Sequence, residues 1–335
     1  MRINLYRIRP GYILKPRGKN LKLTYYVRCF LRNFIPRALL VRKKEQLLAG
    51  LDTRADKAEI LERAAYCNKL ASPYLLGEDA LRVRDIRNTG TVYSRDSYEI
   101  LRYFDPSLRL KTAFGDNTKV PPEPALCKSR PITGDVANCV MLNLDKVRHF
   151  VFLHDKIPFR EKADLAVFRG ACHQPHRKRF MVRYFGSTLV DCGDTSPAKE
   201  GAEHHEWHRP LITLYDHLKY KFILCIEGND VASNLKWVMS SNSVAVMPRP
   251  RYETWFMEGR LVPNYHYIEI KDDFSDLEDK IRYYATHSEE AEAIARHAHE
   301  WVAQFQDPER ELLVSLLVMK KYFELQKPRA GEAQD

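Results

Sequence analysis

The chain has 335 residues and a hydrophobic fraction of 44%, enough for a sizeable core and, by length, for two domains. It has no run of eighteen or so uninterrupted apolar residues, which excludes a membrane-spanning helix, and its seven cysteines are scattered without a CxxC pair, pointing to buried thiols rather than staples or zinc ligands. The net charge of +10 is concentrated at the start, where thirteen Lys and Arg residues precede the first acid, Glu45.

The opening stretch, MRINLYRIRPGYILKPRGKN, lacks the apolar core and small-residue cleavage site of a signal peptide, so the expected location is cytoplasmic. Over residues 21–41, Tyr25, Tyr26, Phe30, Leu31, Phe34, Ile35, Leu39 and Leu40 interleave with Arg28, Arg32 and Arg37, a basic amphipathic pattern with Pro36 as a kink or break. Three roles fit this arm. It can attach to an anionic membrane surface, where each basic residue contributes on the order of 1 kcal/mol; it can bind nucleic acid, although no common module for that follows; or it can be a basic helix packed on the domain.

Residues 45–76 place Leu47, Leu48, Leu51, Ile60, Leu61, Ala64 and Ala65 at helical spacing, so a surface helix or helical pair is expected. DNTKVPPEPALCKSRP (116–131) is a proline-rich connection. Residues 139–144 then form an apolar strand candidate that runs into the charged cluster Asp145, Lys146, Val147, Arg148 and His149. A second short strand, 165–168, ends at Arg169 and Gly170, followed by the basic CHQPHRKRF with His173, His176, Arg177, Lys178 and Arg179. Leu189 and Val190 read as a strand ending at Asp191, residues 265–270 as a strand and 274–285 as a helix. Thr286 and Glu289 form a capping-box pattern ahead of a long helix over 290–305, and 311–325 is again apolar at helical spacing.

The stretch 219–250 is the most informative. Residues 222–226 are a continuous apolar run of strand length, stopped by Gly228; Asn229, Asp230 and Ser233 can turn and cap the chain; Leu235, Trp237, Val238 and Met239 recur at helical spacing; and 243–247 returns to a strand closed by Pro248 and Pro250. Strand, polar loop, helix and strand make the unit of doubly wound α/β nucleotide-binding sheets. A loop at the carboxyl end of a parallel strand that feeds a helix N-terminus favours an anion such as a diphosphate.

Taken in order, FRG (168–170), the basic segment with Arg177 and Arg179, KYKF (219–222), the acidic and glycine loop of Glu227 and Gly228, the polar helix start 233–236, SVAVM, ETWF (253–256) and NYHYIEI (264–270) resemble glycosyltransferase family 90. That family includes protein O-glucosyltransferases, capsule-associated transferases and bacterial lipopolysaccharide core transferases. KVRHF, EGNDVASNLKWVMSSNS and ETWFMEG look most like the bacterial lipopolysaccharide branch, and the resemblance spans about 131–305. It implies a GT-B fold of two Rossmann-like domains facing a cleft, a UDP-sugar donor and transfer with inversion.

Inverting transfer demands a base at the acceptor hydroxyl and positive charge or N–H donors at the departing diphosphate. The family's aspartate matches Asp145 in LNLDKVRHF best, with Asp155 in FLHDKIPF as the second candidate. For the donor, Arg169 and Gly170 match the family's Arg-Gly, Arg177 or Arg179 the basic residue downstream, and Ser233 and Lys236 the polar helix start. Eukaryotic members carry an Arg where this chain has Asn234, which shifts that phosphate contact to Arg177, Arg179 or Lys236. Glu227 and Glu253 are candidates for sugar hydroxyls, Glu253 beside Trp255 as a stacking wall; helix-end or salt-bridge roles compete for both. HHEWH has no zincin spacing, and Asp191 and Asp194 make no DxD signature, so no metal cofactor is expected.

These readings give a basic arm (1–44), an acceptor-side domain (45–162) joined by a returning helix (306–330), and a nucleotide-sugar-binding domain (163–305). The expected activity is hexose transfer from a UDP-sugar to a lipopolysaccharide core or related lipid-linked glycan. The expected place is the inner face of the bacterial inner membrane, reached through the arm, with no nucleic-acid partner. A capsule-polysaccharide or protein acceptor is the competing enzyme reading. A non-catalytic basic membrane- or nucleic-acid-binding protein on a transferase fold is the competing class.

Overall fold

The computed structural model describes residues 22–197 and 204–328, so the arm up to residue 21 lies outside the described residues. The strands are β1 Leu81–Arg82, β2 Arg109–Ala113, β3 Ala125–Cys127, β4 Ser129–Pro131, β5 Cys139–Met141, β6 Ala163–Gly170, β7 Val190–Asp194, β8 Tyr220–Leu224, β9 Val244–Met247, β10 Tyr252–Thr254 and β11 Ile268–Glu269. The chain forms two compact units: the first has Lys22–Lys146, Arg251–Gly259 and the segment from Asp307, the second Val147–Pro250 and Arg260–Gln306. The division therefore falls at 146/147, upstream of the 162/163 border expected from sequence. Residues 251–259 go to the first unit because β10 pairs antiparallel with β4, setting Glu253 opposite Arg130.

The second unit carries a five-stranded sheet in the order β11-β9-β8-β6-β7, parallel throughout. Its strands read as unbroken apolar runs because both faces are covered, and all four residues of β9 are buried. One face packs an aromatic cluster in which Phe180, from the helix Pro175–Tyr184, sits 5.2 Å from Phe168 and 5.4 Å from Phe274 by ring centroids. From β6 the chain first winds to β7 on one side, then continues through β8, β9 and β11 on the other. The switch point of this doubly wound order lies between β6 and β8, where such sheets bind ligands at their carboxyl ends.

Two expected elements differ. The helix after β8 is a single turn, Leu235–Val238, because the Ser240 and Ser241 hydroxyls donate to the carbonyls of Trp237 and Val238 and end it. The dipole of one turn is too short for the anion argument made from sequence there; the ten-residue helix after β6 is the one that can carry it. Nor does the capping box at Thr286 and Glu289 form. The Thr286 hydroxyl donates back to Arg282 and Tyr283, and His287 occupies the N-cap of the helix Ser288–Ala303 without a side-chain bond to the helix's first N–H groups.

The first unit holds the sheet β1-β2-β3-β5, parallel from β2 to β5, and the separate pair β10-β4. The helix Pro308–Glu324 packs against the helix Lys57–Cys67 and presents Leu313, Leu316 and Met319 to the interior. The described part of the arm belongs here: a helix Lys22–Leu31, a 3-10 turn Arg32–Phe34, the break at Pro36, then the helix Arg37–Ala49. All seven cysteines are buried and unpaired thiols.

Candidate active site

At the switch point of the second unit, β6 ends at Gly170 and the chain turns into the helix Pro175–Tyr184, whose first turn carries His176 and Arg177. Opposite, β8 runs into the loop of Ile226, Glu227, Gly228 and Asn229. Arg177 ties the two together: Nε donates to the Glu227 carbonyl (2.8 Å), Nη2 to that of Ile226 (2.7 Å) and Nη1 to that of Ala171 (2.9 Å). His176 Nε2 lies 2.7 Å from the same Glu227 carbonyl, and Gln174 donates to Asn229 (2.9 Å). The planar fork aims separate nitrogens at the three carbonyls, a spread that the single nitrogen of a lysine does not reproduce.

Burial, with a further push from neighbouring Arg148, lowers the Arg177 pKa. Arg148 is itself exposed. Two guanidinium groups held near one another at a sheet's switch point are relieved by an anion bound beside them. Gly170 is needed for the same packing, since a Cβ there would lie 2.9 Å from the Phe168 ring and 3.3 Å from Arg177 Nη1. Glu227, Gly228 and Ser233 are half-buried along this loop, where Gly228 leaves ordinary contact distance to Arg177.

Other residues singled out from sequence are placed elsewhere. Arg169, whose strand neighbours Phe168 and Gly170 point to the opposite face, is spent on β7: Nη2 pairs with Asp191 at 2.7 Å, Nη1 donates to two backbone carbonyls, and Nε is buried. Burial opposes the charge on Asp191, but bonds from Tyr220 and Arg169 outweigh it and hold its pKa low. Arg169 thus clamps β6 to β7. Arg179 is exposed on the far side of its helix. Asn234 donates to the Leu224 carbonyl and closes the end of β8 (3.0 Å). Lys236 is fully buried, its ammonium 6.0 Å from the Phe150 ring centroid.

Asp155 is likewise structural. Its carboxylate pairs with buried Lys162 at 2.7 Å and accepts from the backbone N–H groups of Ile157 and Asn242 at 3.0 Å each. Glu253, in the first unit, is held by Arg130 Nε at 2.8 Å and by the Tyr66 hydroxyl, with 1% of its side chain exposed. The salt-bridge reading of Glu253 is the one realised.

Asp145 follows β5 in the first unit, buried, with a φ of 54°. Asp tolerates this left-handed backbone better than most residues, and a buried carboxylate kept in it is the kind of local strain that marks functional positions. The next residue, Lys146, donates its N–H to Asp96 (2.9 Å) and its ammonium to Glu99 (2.6 Å). Asp96 also accepts from the Tyr25 hydroxyl (3.1 Å); burial, only partly offset by Lys146, raises its pKa to about 6. The sequence reading passed over Asp96 and gave Arg148 no donor role. The available signals were an acid on the buried face of the helix Val92–Leu101 and an arginine just past a strand end.

Residues 139–333 match the family model described as Glycosyl transferase family 90. The chain is 43% identical over 311 residues to the O-glucosyltransferase LpsA of Dichelobacter nodosus, covering 92% of this chain and 97% of that one. It is 27% identical over 179 residues to human Protein O-glucosyltransferase 3, covering 52% of this chain and 35% of the human protein. It is 28% identical over 126 residues to zebrafish Protein O-glucosyltransferase 2, covering 37% and 25%.

Proposed function

This chain belongs to glycosyl transferase family 90 and is a glycosyltransferase, and from that premise we propose that it moves glucose from a UDP-sugar to a lipopolysaccharide core glycan with inversion. The observation that carries the donor half is the Arg177 clamp at the switch point, with Arg148 beside it, where a diphosphate would find both positive charge and the N-terminus of a ten-residue helix. We assign the diphosphate to Arg148, Arg177 and the N–H groups of that helix start, and the sugar to the loop of Glu227, Gly228 and Ser233. The parallel sheet in each unit supports a GT-B reading.

In the proposed reaction the acceptor oxygen attacks C1 of the sugar, the bond from C1 to the UDP oxygen breaks, and UDP leaves with that electron pair. Asp145 takes the hydroxyl proton. A single displacement with one base turns over the configuration at C1, and guanidinium charge at the leaving diphosphate replaces the need for an ion. The lipopolysaccharide acceptor rests on the likeness of KVRHF, EGNDVASNLKWVMSSNS and ETWFMEG to the bacterial branch, and on the basic arm, which suits a phosphorylated lipid-linked glycan at an anionic inner-membrane face. Among the described residues no helix is long and apolar enough to cross a membrane, so the association we propose is peripheral.

The test is release of UDP from UDP-glucose by the purified chain, with Asp145→Asn beside it. Asn keeps the shape and tolerates the same backbone, so fold is retained and turnover falls by about 100-fold or more, the usual contribution of a positioned base. Turnover that survives unchanged in Asp145→Asn removes Asp145 from the role, and no turnover of any nucleotide sugar removes the reading.

A further inference from the structure

Half of the large exposed apolar side chains among the described residues, seven of fourteen, fall between residues 26 and 39. Val27, Phe30, Leu31, Phe34, Ile35 and Leu39 are 40% to 68% exposed, and Phe30 and Phe34 meet edge to face at 5.1 Å. The same segment is anchored from below by buried Tyr25, Cys29 and Leu40, so it is a fixed ridge and not a loose tail. A contiguous apolar ridge of this kind on a water-facing surface marks an interaction site.

Directly beside the ridge lies a cavity of about 230 Å³ lined by Cys29, Arg32, Asn33, Arg95, Tyr98, Glu99 and Arg102. It faces three arginines and one carboxylate, and that carboxylate is already met from both sides, by Arg32 at 3.0 Å and Lys146 at 2.6 Å. Arg102 leans on the carbonyls of Glu99 and Arg32. Arg95 lies over the Tyr26 ring at 5.2 Å, its Nε buried without a hydrogen-bond partner. The cavity is several times the ~30 Å³ share of a liquid water molecule, polar and net positive, and so suited to a phosphate.

We propose that the ridge from Val27 to Leu39 docks on an anionic phospholipid bilayer, with Phe30, Leu31 and Phe34 in the headgroup layer and a lipid phosphate in the pocket of Arg32, Arg95 and Arg102. Charge complementarity selects this occupant over a second copy of the chain: exposed Arg42 and Lys43 continue the positive rim, and two such rims would repel one another. The proposal rests on the membrane-surface part of the function above and gives it a defined face and a lipid contact.

Vesicle flotation with the full chain tests it, using phosphatidylglycerol–phosphatidylcholine vesicles and pure phosphatidylcholine. Expected are binding to the anionic vesicles that weakens with salt, and loss of affinity by about tenfold or more in Phe30→Ser/Phe34→Ser and in Arg95→Gln/Arg102→Gln. Soluble UDP-glucose turnover is measured on the Phe30→Ser/Phe34→Ser variant to show that it is folded, and it also separates the two readings: turnover without vesicle binding in the unaltered chain sinks the docking face and leaves the transferase. Unchanged binding in that apolar variant overturns the proposal, as does a dimer of the unaltered chain that this variant dissociates. Inorganic phosphate that displaces the chain from vesicles at millimolar concentration, where chloride of equal ionic strength does not, would show a free-anion site and overturn it too.

Discussion

Asp96 shows what burial does to one carboxyl group. Its pKa stands at about 6 against an ordinary value of 3.8, because desolvation outweighs the bonds from Lys146 and Tyr25. The folded chain therefore keeps a proton that the unfolded chain gives up between roughly pH 4 and 6, so this group's contribution to stability falls as pH rises through that window. At pH 7 the cost is on the order of 3 kcal/mol, two pKa units at 1.36 kcal/mol each. Asp96→Asn keeps an acceptor for the Lys146 N–H and removes the titration. Its unfolding free energy, from urea melts at pH 4, 5, 6 and 7, is expected to lose this downward slope, and an unchanged slope would refute the assignment. What the sequence could not show is the partner: Tyr25, seventy-one residues away, donates its hydroxyl to Asp96. That Asp145 follows an apolar strand was readable from the sequence; its left-handed backbone was not.

Among the elements, β8 and β9 were readable because strands covered on both faces are apolar throughout, and FIL and VAVM are short runs bounded by turn residues. Arg169 misled for a physical reason: residues on a strand alternate faces, and a single arginine does not disclose whether its side chain follows the ligand loop or the neighbouring strand. The clamp on the two loops belongs instead to Arg177, eight residues further on in the first turn of the next helix. Arg177→Lys keeps the charge and loses the fork, so the loops from β6 and β8 part while the sheet remains. Titration calorimetry with UDP is expected to show affinity falling by about tenfold or more for Arg177→Lys and holding for Arg179→Lys, which lies exposed on the same helix. Equal losses in the two variants would mean that general basicity, not the clamp, holds the nucleotide.

Across the whole molecule, the alternation of strands and helices and the chain's return through a last helix could be followed from hydrophobic period. The pairing that moves 251–259 into the first unit could not. It depends on Arg130 and Glu253, 123 residues apart, meeting as a buried ion pair with Tyr66 over them, and nothing local marks either residue as the other's partner. The same limit applied to the arm, whose composition advertised charge and apolar surface but not which of its residues would be anchored and which left on a ridge.

The central claim is inverting transfer of glucose to a core glycan. UDP-glucose carries its sugar in the α configuration, so the most direct measurement is the anomeric coupling, by NMR, of the sugar newly attached to a lipopolysaccharide core acceptor. The account predicts a β-linked glucose that forms in the unaltered chain and is lost in Asp145→Asn. An α-linked product would contradict it.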